Sequence, residues 1–155
     1  MLDTEHILKD AGAVTASGYG TVDAEAKVVN LGKGLVRGNL VVDISAIDIS
    51  AGNEAYTIHL MGGSDGDFTE EVSLASKELG ASGALEGNLD SAISRVVIPF
   101  QNEDRGVIYP YVRIRHVISG AGPSINYTAR LEKDLPYIGA TYLSPEAMAT
   151  TTTTV

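Results

Sequence analysis

The segment "YPYVRIRHVISG" (109–120) gathers Arg113, Arg115 and His116, cationic side chains that could serve catalysis, ligand capture or contact with another protein. The segment alternates as a strand does, so neighbouring side chains point to opposite faces. Arg113 and Arg115 then share a face with Tyr111 and Val117, whereas His116 lies opposite with Val112, Ile114 and Ile118. The three do not form one local catalytic cluster. The arginine face is a candidate contact surface, because a planar guanidinium can bind a carboxylate through two parallel hydrogen bonds. The competing reading is an ion pair within the chain, to Glu132 or Asp134 on an adjacent strand across a hairpin.

Other chemistry-bearing residues form no recognisable set. "GASGA" (80–84) approaches the nucleophile elbow G-x-S-x-G, but Ala84 replaces the last glycine and no strand is expected to lead into it, so it reads as a turn. His6, His59 and His116 lack the H-E-x-x-H or i, i+4 spacing of a metal site. "DGDFTEE" (65–71) alternates Asp65, Asp67, Thr69 and Glu71 as oxygen donors for Ca²⁺, yet lacks the central glycine and distant bidentate glutamate of an EF-hand. There is no phosphate-binding G-x-x-x-x-G-K-[ST], and the sequon "NYT" (126–128) falls inside a predicted strand. Paired carboxylates for glycoside hydrolysis are left open, since only the fold fixes their separation. The chain is therefore expected to be no enzyme and to use no cofactor and no metal.

The elements that must position these residues read as β structure. Seventeen glycines punctuate short apolar runs, and no apolar stripe recurs at helical spacing. "YTIHL" sets Tyr56, Ile58 and Leu60 on one face and Thr57 and His59 on the other. "INYTARLE" likewise separates Ile125, Tyr127, Ala129 and Leu131 from Asn126, Thr128, Arg130 and Glu132, and "ISRVVIPF" aligns Val96, Ile98 and Phe100. Pro99 donates no ladder hydrogen bond and belongs at an edge or a strand end. The separators "AGNEA", "GGSDGD", "QNEDRG" and "SGAGPS" carry turn residues. "TEEVSLASKELG" (69–80) is read as a strand followed by a loop, with a short helix capped by Thr69 as the competing reading. The expected fold is all-β, a jelly-roll-like sandwich with extended termini: an N-terminal arm over 1–17, one domain over 18–148, and a threonine-rich tail over 149–155.

Bulk composition narrows the function. A chain of 155 residues with 20 acids and 11 bases carries a net charge of −9, which disfavours binding to nucleic acid through phosphate neutralisation. The imbalance is local, with 15 acids against 5 bases in residues 1–90 and 5 against 6 thereafter, so one part of the surface can complement another chain. Zero cysteines exclude disulfides and thiol chemistry. No apolar run reaches the roughly 20 residues of a membrane span, and "MLDTEHILKD" lacks a signal-peptide core; a soluble chain without a cleaved signal is expected.

Several stretches resemble a known family. "MLDTEHILKDAGAVTAS", "VVNLG", "GGSDGDF" and "YPYVRIRHVISGAGPSINYTARLEKD" occur in the order seen in capsid cement (decoration) proteins of tailed bacteriophages, the group typified by the cement protein of a Bordetella podovirus. Gly12 stands where that family often has Gln, and "YVRIRH" replaces its usual "YLRL". The resemblance implies a jelly roll on the outer capsid surface of the virion, made in the host cytoplasm, that bridges major capsid proteins as a homodimer or homotrimer. It implies no chemistry, no nucleic acid and no membrane. On that reading Leu2, Thr4 and His6 of the arm, Arg113 and Arg115, and Thr151 and Thr153 of the tail are the expected interface residues. The alternative is a carbohydrate-binding jelly-roll module on a particle surface, disfavoured by the absence of Trp and the presence of only seven Tyr. A small β-sandwich hydrolase comes third, for want of a motif.

Overall fold

The computed structural model describes residues 6–85 and 90–132, which contain strands and turns and no α-helix. In chain order the strands are β1 (Ile7–Lys9), β2 (Ala13–Val14), β3 (Gly18–Tyr19), β4 (Thr21–Val22), β5 (Glu25–Ala26), β6 (Val29–Asn30) and β7 (Arg37–Ile47). They continue as β8 (Ala55–Gly63), β9 (Glu71–Gly80), β10 (Ser94–Gln101), β11 (Glu103–Asp104), β12 (Val107–Ile108), β13 (Tyr111–Ser119) and β14 (Ile125–Glu132). All pairings are antiparallel. The first sheet has the order β1-β14-β7-β10, with β2 also on β14; the second has the order β3-β13-β8-β9, with β6 also on β13.

The two sheets face each other as a β-sandwich, the architecture that the alternating sequence predicts. Tyr56, Ile58, Leu60, Val112 and Ile114 from the second sheet meet Leu40, Val42, Ile44, Ile125, Tyr127 and Ala129 from the first in one core. Each strand buries one face because its apolar residues recur every second position. The edges are blunted. Strand β10 pairs only with β7 and carries Pro99, while the outer strand β9 carries the exposed Lys77 at a core-facing register position opposite Ile58.

Three expectations are corrected. Strands β13 and β14 are not hairpin partners: β13 already has β8 on one side and β3 and β6 on the other, and β14 lies in the opposite sheet between β7 and the strands β1 and β2. The turn 120–124 therefore crosses between sheets, and Gly120 (φ 111) lets it pass where a Cβ would come within 2.6 Å of the Glu54 Cα. The run 69–80 is not a strand then a loop, because β9 continues to Gly80, paired with β8 on both sides of a bulge at Leu74. That strand leads directly into "GASGA", which closes as a turn through Ala84 N–H and Leu85 N–H donating to the Ala81 carbonyl, at 2.9 and 3.2 Å.

Residues 7–14, within the segment expected to reach out as an arm, are edge strands on β14. Lys9 fixes them. It is only 3% exposed, and its ammonium donates to the carbonyls of Asp10 (2.9 Å), Gly12 (3.1 Å) and Tyr127 (2.9 Å) while lying 4.5 Å from the centre of the Tyr127 ring. A buried cation persists only with such partners.

Candidate functional site

The buried polar groups are committed to holding the fold. The Glu54 carboxylate accepts from Ala51 N–H (2.7 Å) and Gly52 N–H (3.0 Å), closing the connection from β7 to β8. The Tyr56 hydroxyl donates to the Asp48 carbonyl (2.6 Å) and accepts from Ser124 N–H (3.0 Å), tying that connection to the β13–β14 crossing. At the opposite end the buried Asn102 side chain accepts from Val36 N–H (2.7 Å) and donates to the Gly34 carbonyl (3.1 Å). This clamps the loop bearing exposed Leu35 beside the β11–β12 hairpin with exposed Val107 and Ile108. None of these roles was read from the sequence. The signal available was an Asn or Glu inside a turn-rich separator, "QNEDRG" or "AGNEA", where such side chains bond nearby backbone.

His116 belongs to this internal set. It is buried on the core face, and its Nδ1 lies 2.7 Å from the Tyr127 hydroxyl, with the rings edge to face. Burial, reinforced by the nearby Lys9 charge, pulls its pKa down to about 4. Burial also raises that of Tyr127. A neutral imidazole locked against a neutral phenol is a core hydrogen bond, as the separation of His116 from the arginine face suggested.

The arginine face is the outer face of the second sheet, and its two arginines differ. Arg113 donates from Nη2 to Glu71 Oε2 at 2.8 Å, and not to Glu132. Glu132 instead accepts from Arg130 in the other sheet, at 2.7 Å, and Asp134 lies outside the described residues. The guanidinium reaches Glu71 on the diagonal across β8, since Met61 stands opposite Arg113 and Gly63 opposite Glu71. It is held between two rings, 3.8 Å from Tyr19 and 4.1 Å from Phe68. Phe68 itself is buried over Gly63 at φ 53, on a turn in which Asp65 Oδ1 accepts from Thr69 N–H at 3.0 Å.

Arg115, by contrast, is exposed and has no ion pair among the described residues. It lies between Tyr19 on β3 and His59 on β8. His59 Nδ1 lies 3.0 Å from Ser73 Oγ, and burial followed by the Arg115 charge lowers its pKa. The outer face of the first sheet shows the opposite condition. Asp43 bonds Arg95 (2.6 Å) and Arg130 (2.7 Å), which hold its carboxyl below the usual range.

Among the other interface candidates, His6 is half-buried just ahead of β1; Leu2, Thr4, Thr151 and Thr153, with the tail 149–155, lie outside the described residues. The proposed calcium donors are dispersed, since Asp65 caps its own turn and Glu71 holds Arg113. Among the described residues no group of three or more His, Asp or Glu gathers as a metal site. The chain matches no known family model, and no curated protein sequence matches it.

Proposed function

We propose that this protein is a structural component of a tailed-phage virion, one that binds the outside of the assembled capsid and stabilises it by bridging neighbouring major capsid proteins. The observation that carries the reading is the outer face of the second sheet, where exposed Tyr19 and the uncommitted Arg115 stand on a five-stranded platform. Tyr and Arg are the residue types enriched where proteins meet. The family-like motifs, distributed over the chain in family order, point the same way. Modest affinity per copy suffices, because contacts made together raise the effective concentration.

The test mixes the purified protein with capsids of its encoding phage prepared without it. Binding with a gain in capsid heat resistance is expected; no binding and no gain would refute the proposal. A carbohydrate-binding role draws on one observation, the Tyr19 ring beside Glu71, whose carboxylate its hydroxyl reaches at 3.4 Å. One face of that ring is already covered by Arg113, leaving half the usual platform. Selective binding on a glycan array would reverse the order.

A further inference from the structure

We infer that residues 7–19, the first strands of the chain, form an acid-released arm: when His116 takes up a proton they leave the sandwich, while the longer strands stay folded. Three buried polar side chains tie this segment down, one behind another. The Lys9 ammonium of β1 donates to the Tyr127 carbonyl and lies over the Tyr127 ring, and the Tyr127 hydroxyl lies 2.7 Å from His116 Nδ1. Strand β3 passes so near the imidazole that a Cβ at Gly18 would stand 3.5 Å from Nε2. The ring therefore sits where the first edge strands of both sheets meet the core.

Among the described residues no carboxylate offsets a charge at this place. The ring meets Lys9 from β1, Tyr127 from β14, the bare Gly18 from β3, and the apolar Ile58 opposite it on β8. Asp10 accepts from Asp23 N–H, Asp43 is held on the outer face by Arg95 and Arg130, and Glu54 closes the β7–β8 connection. Arg115, the charged neighbour on β13 itself, points to the opposite face. Once protonated, the imidazole donates from both nitrogens, so the Tyr127 hydroxyl must accept, and its own proton has no other partner among the described residues. An imidazolium and an ammonium then share one phenol, opposed by burial and by the Lys9 charge. Detaching β1 and β3 removes Lys9 and lets water reach the ring.

The segment can leave alone. Its strands are two or three residues long and lie at sheet edges. Its other anchors include Leu8 in the core, Gly12 N–H donating to Asn126 Oδ1 (2.9 Å), and Ser17 Oγ accepting from Ile118 N–H (2.8 Å). The long ladders of β7 with β14 and of β8 with β13 do not include it. From Gly20 on the chain is held again. Gly20 N–H donates to the Ile114 carbonyl (2.9 Å) and Lys27 N–H to the Gly20 carbonyl (3.2 Å), so the hinge falls at Gly20.

The experiment follows amide hydrogen exchange of the full chain at about pH 7 and about pH 4.5, corrected for the intrinsic rates. The imidazole titrates near 6.5 when released and at about 4 when seated, so the opened fraction should rise roughly fiftyfold across that interval. Amides of residues 7–19 are expected to lose protection by that factor. Those of Leu40–Ile44 and Ile58–Leu60 should stay at least about a hundredfold better protected. In His116→Gln the arm should be equally protected at both pH values. Should that variant fail to fold, the His116 ring is titrated by NMR in the unaltered protein, and ring and arm should change with one midpoint. Arm and core losing protection together, an arm unchanged by acid, a variant that responds as the parent does, or midpoints more than about one pH unit apart would overturn the inference. It goes beyond the virion reading and needs no capsid to measure. A protein that coats capsids yet keeps its arm in acid defeats this inference alone; an arm that opens in a protein ignoring capsids defeats that reading alone.

Discussion

Mild acid is expected to destabilise this protein through His116. An unfolded chain protonates its imidazole near 6.5, whereas in the folded core, buried and beside Lys9, the same ring resists protonation until about pH 4. Between those values the unfolded state holds the extra proton, so stability present above the unfolded value is lost as the pH falls. The difference corresponds to about 3 kcal/mol in full, of which about 2.5 kcal/mol is gone by about pH 4.5. For a chain of this size that lowers the melting temperature by about 5–10 °C. Urea unfolding at about pH 7 and about pH 4.5 measures it directly. The comparison is His116→Gln, which keeps a polar side chain at the position but does not titrate. His59 shifts in the same direction and remains in the variant, so it cancels. Asp43, Asp48, Asp65 and Asp90 have lowered pKa values and lose their contributions only below about 3.8, outside the window. If the variant loses as much stability between the two pH values as the parent, or the parent loses less than about 1 kcal/mol, the account of His116 is wrong.

Two further outcomes follow from backbone and packing. In Gly63→Ala the new Cβ would meet the Phe68 ring at 2.5 Å, lifting it from Arg113; a loss of about 1–3 kcal/mol in chemical denaturation is expected. Asp23 and Ala24 join β4 to β5 with φ of 53 and 68, a left-handed pair that favours glycine second. Ala24→Gly should therefore raise stability by about 0.5–1 kcal/mol, seen as a melting temperature higher by about 1–4 °C.

The faces of the strands were legible in the sequence, and their partners were not. Alternation in "YTIHL" and "INYTARLE" fixes which side chains are buried, because burial depends only on a period of two. The separator "SGAGPS" is equally compatible with a hairpin and with a crossing between sheets. What selects the crossing is the occupancy of both edges of β13 and the close pass of Gly120 against Glu54. The same limit hid the partner of Arg113. Glu71 is 42 residues away and comes within reach only through the register of β8 with β13 and β9. Nothing in "HILKD" marks Lys9 as buried; its burial depends on Tyr127, 118 residues later.

The position of β14 has a consequence for how the protein is made. Although it is the last described strand in the chain, it is an interior strand of the first sheet, with β7 on one side and β1 and β2 on the other. During synthesis β1 and β2 have no ladder to join, and Lys9 has no Tyr127 carbonyl to hold, until residue 132 has left the ribosome tunnel. The nascent chain must wait with one sheet missing its middle, and closure is a single late event that joins the first strands to the last. Such distant pairings make folding slow and cooperative, and a ribosome stalled before "INYTARLE" would release a chain open along that gap.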